Sequence, residues 1–386
     1  MKTEVLMVVG SLVNGGVERV VVNIACSLDK KKFKVYVYCI SSEGAIYEDM
    51  LRKHEVDILY HEIEKQKVAE GNKHIVLYRS LRNFIREHPY ITVVHNHSEN
   101  NSIEVLLASK MCKIPIVCEH SHAAYSKYWN FKLFPLKSKV VSKIAGLFIK
   151  RIPNYKIGCS KAACKRAFGK TKNQYFVPNG VNYEIFNPKN ISSKRQLRDK
   201  YNLEKDAIYF IFVGRFAIPK NPLFMLEVLK YLINDLKNVH LLIVGYGELE
   251  KEIRKKVEEL DITRYVEFLP PESNIPELLK ASDYFITPSI YEGLGITFIE
   301  AQLMGIPAFA SDQVPMEADI GKCEFIPLDG GSQKYAEYIV KYINENRQQK
   351  KYINPELVEL YDITNVIKAY ENIYQNIRES VKQYVI

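Results

Sequence analysis

At 386 residues, with 47% hydrophobic and 26% charged residues, the chain is too long for one hydrophobic core, because single cores stop growing near ~250 to 300 residues; two domains are expected. This composition excludes a disordered or fibrous chain, and seven cysteines without a CxxC pair read as reduced core thiols, excluding a disulfide framework or metal finger. The net charge of +9 is local: residues 120–183 hold thirteen Lys and Arg and no Asp or Glu, while the remainder has 41 basic against 45 acidic residues, which points to an anionic partner at that segment.

In chain order, "MKTEVLMVVG" is an apolar run too short for a signal-peptide core or a spanning helix, so a cytoplasmic location is expected. "EVLMVVG", "VERVVVNIACSL" and "KVYVYCI" read as buried strand, helix and buried strand, the start of a parallel α/β sheet. "ITVVHNH", "NSIEVLLASKM", "IPIVCEH", "YKIGCS" and "KAACKRAF" continue the alternation, which Pro178, Asn179, Gly180 and Pro188 interrupt. The pattern restarts with "AIYFIFVGRF", "NPLFMLEVLKYLIND", "VHLLIVGYG" and "ELEKEIRKKVEELDI". Two βαβ series predict an α/β protein of two Rossmann-like domains, residues 1–187 and 188–364, with the helical 365–386 packing back onto the first.

The stretch "YEGLGITFIEAQLMGIP" carries the most chemistry. Gly293 and Gly295 permit a tight turn, and amides near Ile296 and Thr297 at the following helix start suit phosphate oxygens. Glu292 can accept hydrogen bonds from a sugar, and Glu300 can reach a second diol such as a ribose; two solvated carboxylates would give the same spacing. In "FVGRFAIPKNP", Arg215 and Lys220 follow a strand at its carboxyl end and form a clamp for a diphosphate. Gly245 and Gly247 in "IVGYGELE" allow close approach after another strand, but Glu250 replaces the last glycine of GxGxxG, which disfavours a dehydrogenase. On the first domain, Gly15 and Gly16 form a strand-to-helix turn able to approach a phosphate. His95, His97, His120 and His122 stand at strand ends, either binding hydroxyls and protons or serving structure.

"GGVE", "VHNHS", "EHSH", "CSKAACKRAFG", "VPNGVN", "VGRF", "PKN", "VGYGELE" and "EGLGITFIEAQLMGIP" follow one another as in retaining glycosyltransferases of family 4, which the chain resembles over nearly its whole length, most closely in the capsular and exopolysaccharide branch. The resemblance implies the GT-B fold, two Rossmann-like domains with parallel sheets facing a central cleft, and a nucleotide-sugar donor held mainly by the second domain without a metal or other cofactor. It implies that Arg215 and Lys220 bind the diphosphate, Glu300 the ribose, and Glu292 with the amides after Gly295 the donor sugar and phosphates, while His120 stands by the reacting sugar. Gly16, Gly245, Gly247, Gly293, Leu294, Ile296 and Thr297 complete the expected donor contacts. Pro270 and Pro271 stand where the family often has Gly, and Leu294 replaces a common Phe.

The expected reaction moves a hexose or N-acetylhexosamine with retention from a nucleotide diphosphate sugar, by family habit a UDP-sugar, to a lipid-linked or oligosaccharide acceptor in surface polysaccharide synthesis. Glu292 is a base or a sugar ligand, and Glu119 is the one further carboxylate at a suitable strand end. Within the basic segment 131–151, Leu136, Val140, Ile144 and Leu147 share one helical face with lysines around it. That pattern suits a peripheral site on the anionic inner face of the plasma membrane, or a core-packed helix with a solvated basic side. Nucleic acid is not expected, since no binding motif accompanies the charge. The competing functions are a nucleotide-sugar epimerase of the same architecture and a non-catalytic sugar-nucleotide or membrane-binding protein.

Overall fold

The apolar runs become strands because a parallel sheet covered on both faces buries successive side chains, leaving no polar alternation. The computed structural model describes residues 2–13, 15–41, 46–61, 73–98, 102–122, 146–271, 273–346, 352–376 and 384–386. Two compact units divide them, one containing the residues up to Gly180 together with those from Ile363 onward, the other Val181–Asp362. Residues 181–187 therefore belong with the second unit, and the helix Ile363–Tyr374 with the first.

The first unit is built on β1 (Thr3–Val9), β2 (Phe33–Cys39), β3 (Val56–Tyr60), β4 (Ile91–Asn96), β5 (Ile116–Ser121), β6 (Tyr155–Gly158) and β7 (Gln174–Phe176), all pairing in parallel in the order β3-β2-β1-β4-β5-β6-β7. Its core includes Leu6, Val8, Leu81, Val94 and Val105. The second unit is built on β8 (Ile208–Val213), β9 (Val239–Val244), β10 (Val266–Leu269), β11 (Tyr284–Thr287), β12 (Ala308–Ser311) and β13 (Cys323–Ile326), in the order β10-β9-β8-β11-β12-β13. These strands too are parallel. Phe210, Phe212, Leu229, Leu241, Ile243 and Tyr335 fill the core beside them.

Strand order decides where a ligand can sit. In each sheet the order reverses once, between β1 and β4 and between β8 and β11, and doubly wound sheets bind ligands beyond the carboxyl ends of the strands at such a reversal. Among the described residues no helix is long and apolar enough to cross a membrane. The seven cysteines are free thiols.

Candidate functional site

In the second unit the two loops at the reversal are stitched together. After β8, the turn Ile218–Lys220 begins on a proline-containing segment, and Asn221 takes a left-handed conformation before Pro222 opens the helix Pro222–Asp235. That arrangement uses proline's fixed φ at a helix start and asparagine's tolerance of positive φ. The loop after β11 is held against it: Ile290 N–H donates to the Pro219 carbonyl at 2.7 Å, and Asn221 Nδ2 donates to the Pro288 carbonyl at 3.1 Å.

This stitching brings Lys220 and Glu292, 72 residues apart in sequence, into an ion pair with Nζ to Oε1 at 2.6 Å. Ser289 Oγ donates to the same oxygen at 2.7 Å. Ser289 is fixed in turn by Ser311, whose hydroxyl donates to its carbonyl. Glu292 is 9% exposed, so its charge is stabilised mainly by these two donors rather than by water. Ser289 escaped the sequence reading; its only signal was its place two residues past β11 in "YFITPS".

Glu292 leads directly into the helix Ile296–Leu303, whose N-cap is Gly295 at φ +83°. A Cβ at Gly295 would lie 2.8 Å from the Phe298 ring, so both backbone angle and space demand glycine. The helix is seated by Phe298 against Phe285 of β11, edge to face at 5.1 Å. Gln302 seats it too, donating to the Ala318 carbonyl at 2.7 Å and accepting from the amides of Ile320 and Lys322, each at 2.9 Å. Its start presents Ile296 and Thr297, where backbone amides precede the intrahelical ladder and attract anions. The Thr297 hydroxyl beside them is buried and has no hydrogen-bond partner among the described residues. Glu300 is on the same helix and buried at 1% exposure. Gly293 lies in the connecting turn, whereas Leu294 is 1% exposed and packs into the interior.

The remaining expected residues of this unit have other surroundings. Arg215 pairs with Glu248 at 3.2 Å, and both side chains are more than half exposed, so it is a solvated cation at the mouth of the β8 loop. Gly245 and Gly247 make a close approach to protein backbone: a Cβ at Gly245 would meet the Gly214 carbonyl oxygen at 1.9 Å, and one at Gly247 would meet that of Phe216 at 2.5 Å. Gly214 and Phe216 amides donate to the carbonyls of Val244 and Tyr246 at 3.0 and 2.8 Å, zipping the loops after β8 and β9 together. These glycines let the Arg215–Lys220 loop lie flat on its neighbour.

In the first unit, Gly16 is the first residue of the helix Gly16–Ser27 following β1, and a Cβ there would meet nothing within 4 Å. Packing does not require glycine at this position. The parallel pairing of β4 with β5 sets Asn96 opposite Glu119. Glu119 is buried and accepts from Asn96 Nδ2 at 2.9 Å and from the Ser102 hydroxyl, a structural engagement. His120 is fully buried. Its ring stacks on His122 at 3.9 Å and on His95 at 5.3 Å, with His97 at 5.0 Å. Burial holds His120 and His97 well below the usual imidazole range and His95 at about 3, the neighbouring imidazoles adding to the effect. All three are neutral near pH 7.

Of the basic segment 131–151, residues 131–145 lie outside the described residues. Its described end lines a groove of about 560 Å³ with Leu147, Phe148 and Arg151, against Lys110, Lys113 and Ile114. Met111 and Leu147 are about half exposed.

Comparison with known proteins gives these loops a context. A family described as Glycosyltransferase Family 4 matches residues 14–184, and one described as Glycosyl transferases group 1 matches residues 193–356. EpsF of Bacillus subtilis, provisionally named a glycosyltransferase, is 25% identical over 382 residues, with 96% of each chain covered. The Escherichia coli UDP-Gal:alpha-D-GlcNAc-diphosphoundecaprenol alpha-1,3-galactosyltransferase is 28% identical over 237 residues, 60% of each chain. Among solved structures, Anabaena Alr3699/HepE in complex with UDP-glucose superposes with a TM-score of 0.75 at 18% identity, over 97% of this chain and 99% of that one.

Proposed function

Since the chain belongs to the glycosyltransferases of family 4, with a GT-B fold, we propose that it moves a hexose or N-acetylhexosamine, with retention and without a divalent metal, from a UDP-sugar to a lipid-linked saccharide in surface polysaccharide synthesis. The observation that carries the donor site is the Lys220–Glu292–Ser289 cluster at the β8/β11 reversal, continuous with the glycine-capped start of the helix Ile296–Leu303. A diphosphate placed there meets the Lys220 ammonium, the amides near Ile296 and Thr297, and the Thr297 hydroxyl, which has no partner among the described residues. Arg215, solvated and on the same loop as Lys220, reaches the outer phosphate oxygens. Glu300 takes the ribose diol, and Glu292 takes hydroxyls of the sugar.

Chemically, the bond from the anomeric carbon to the β-phosphate oxygen breaks through an oxocarbenium-like state while the acceptor oxygen bonds to the same face. The departing phosphate takes the acceptor proton. Negative charge grows on that phosphate, where Lys220 and the helix-start amides stabilise it, the task a divalent ion performs elsewhere. Diphosphate binding draws Lys220 away from Glu292 Oε1, leaving Ser289 to hold the carboxylate toward the sugar. No step is routed through His120.

Two relatives support the lipid-linked acceptor: the E. coli enzyme named above and a Campylobacter jejuni N-acetylgalactosaminyltransferase whose name specifies a PP-undecaprenol substrate, 25% identical over 306 residues. The groove of Lys110, Lys113 and Arg151 with Leu147 and Phe148 supports contact with an anionic membrane face. The test is transfer from UDP-sugars to an undecaprenyl-diphosphate saccharide in EDTA, with the product's anomeric configuration read by NMR. An α-linked product from an α-UDP-sugar is expected; an inverted product, or activity abolished by EDTA, overturns the mechanism.

A further inference from the structure

The groove at the end of the basic segment has a shape and a lining that contact with a flat charged surface does not use. It lies at the amino ends of β5 and β6, where Val117 and Asn154 are locked together: Val117 N–H donates to Asn154 Oδ1 at 2.7 Å, and Asn154 N–H to the Val117 carbonyl at 2.9 Å. Ile114, Phe148 and Ile152 add partly exposed apolar surface, and Leu147 is about half exposed. The remaining lining is cationic. Lys110, Lys113 and Arg151 are all exposed, no carboxylate stands beside them in the groove, and none of the three has an ion-pair partner among the described residues.

One of these cations occupies a position that the backbone would give to glycine. The helix Ser102–Met111 closes in a Schellman turn, Lys113 N–H donating to the Lys110 carbonyl at 3.1 Å and Ile114 N–H to that of Ser109 at 3.0 Å. The residue that turns left-handed is Lys113, at φ +55°, where glycine is the usual occupant because it has no Cβ to clash. Basic residues at helix ends also offset the helix dipole. The two helices that end at the groove, Ser102–Met111 and 146–151, present carbonyl ends equivalent to about −0.5 charge each, so three cations exceed that need by about two charges.

A groove of about 560 Å³ has the size of a small-molecule site. Apolar walls beside cations in excess of the helix dipoles match an amphiphile with a phosphate head and a hydrocarbon tail. We propose, resting on the membrane-face reading above, that the groove binds one anionic glycerophospholipid, its phosphate among Lys110, Lys113 and Arg151 and an acyl chain along Leu147, Phe148, Ile114 and Ile152. This lipid is an anchor and not the acceptor. A strand rises about 3.3 Å per residue, so Val117 is about 13 Å from Ser121 at the carboxyl end of β5, the end at which doubly wound sheets bind their substrates. The seated lipid holds the amino ends of β5 and β6 to the membrane.

The test titrates dihexanoyl phosphatidylglycerol, as a monomer below its micelle concentration, into the full-length chain with no bilayer present. One molecule per chain is expected to bind, at least about 10-fold tighter than dihexanoyl phosphatidylcholine, which lacks the net charge, or glycerol 3-phosphate, which lacks the tails. Leu147→Asn and Arg151→Ala, both at exposed positions, should each weaken it by about 10-fold. Lys113→Gly separates binding from folding: by relieving the left-handed φ it should raise the melting temperature and still weaken the lipid several-fold. Binding of glycerol 3-phosphate or of the zwitterionic lipid equal to that of phosphatidylglycerol, or affinity indifferent to Leu147→Asn and Lys113→Gly, would overturn the site. Sedimentation with phosphatidylglycerol vesicles distinguishes the two readings. Vesicle binding without monomer binding keeps the membrane face and overturns the lipid site, whereas monomer binding without vesicle sedimentation upholds the site and ends the membrane-face reading.

Discussion

Acidification to pH 5 should destabilise the first unit, because burial disfavours the protonated form of three of its imidazoles. Burial is the main cause of the lowered pKa of His95, His97 and His120, from the ordinary 6.5 to about 3 for His95 and well below 6.5 for the others. Around them stand His122, Tyr370 and Tyr374; burial lifts both tyrosines well above 10, so neither supplies a counter-charge. A base whose folded pKa lies below its unfolded value gains its proton on unfolding. The stabilisation is therefore complete above about pH 6.5 and is lost as pH falls toward the folded value. An imidazole that stays neutral in the fold, as His95 does with a value of about 3, loses about 2 kcal/mol between pH 7 and 5. His95 alone gives about 2 kcal/mol of that loss, and His97 and His120 act in the same direction, against a whole stability of about 5–15 kcal/mol for many domains. Urea unfolding of the chain, followed by far-UV circular dichroism at pH 7, 6 and 5, measures this as a falling midpoint at constant slope. A total loss under about 2 kcal/mol would mean that the imidazoles take up protons without unfolding, and would refute the neutral stack.

Other consequences follow from the second unit. Gly245→Ala should destabilise it by about 3 kcal/mol or more, since the new methyl meets the Gly214 carbonyl at 1.9 Å, whereas Gly16→Ala in the first unit should leave the melting temperature unchanged or raised. A Gly245→Ala chain as stable as wild type would contradict the packing role. Ser289→Ala removes one of two donors to Glu292 and should cost about 1 kcal/mol in stability while lowering kcat more than it raises KM; a pure KM effect would place Ser289 elsewhere in the reaction. Charge reversal at Lys110, Lys113 and Arg151 together should abolish sedimentation with anionic liposomes and leave binding of UDP intact. Unchanged sedimentation would assign that groove another role.

Much of this architecture was legible because buried parallel strands announce themselves as uninterrupted apolar runs, and "AIYFIFVG" or "VHLLIVG" admits few other readings. The placement of Lys220 and Glu292 was legible for a related reason: each lies in the loop after a strand, β8 or β11, at its carboxyl end, while Glu300 lies inside the helix that follows the second loop. Gly245 and Gly247 read as approaches to a ligand, yet the approach is to Gly214 and Phe216, because only the pairing of β8 with β9 shows which backbone is nearby. The histidines show the same limit. "VHNHS" and "EHSH" lie about 25 residues apart and each reads as a strand end facing a ligand, while the register of β4 on β5 stacks them on one another. Ser289 has no motif of its own; its role exists only through the loop that brings Glu292 to Lys220.

The most direct measurement of the donor site is calorimetric titration of UDP, in EDTA, into wild type, Lys220→Ala and Glu292→Gln. Wild type should bind, Lys220→Ala should bind at least about 10-fold more weakly through loss of a charge-assisted contact, and Glu292→Gln, whose role is toward the sugar, should stay within about 3-fold while its transfer rate collapses. Binding of UDP that is indifferent to Lys220, or absent from wild type altogether, would contradict a nucleotide-sugar site at the reversal between β8 and β11.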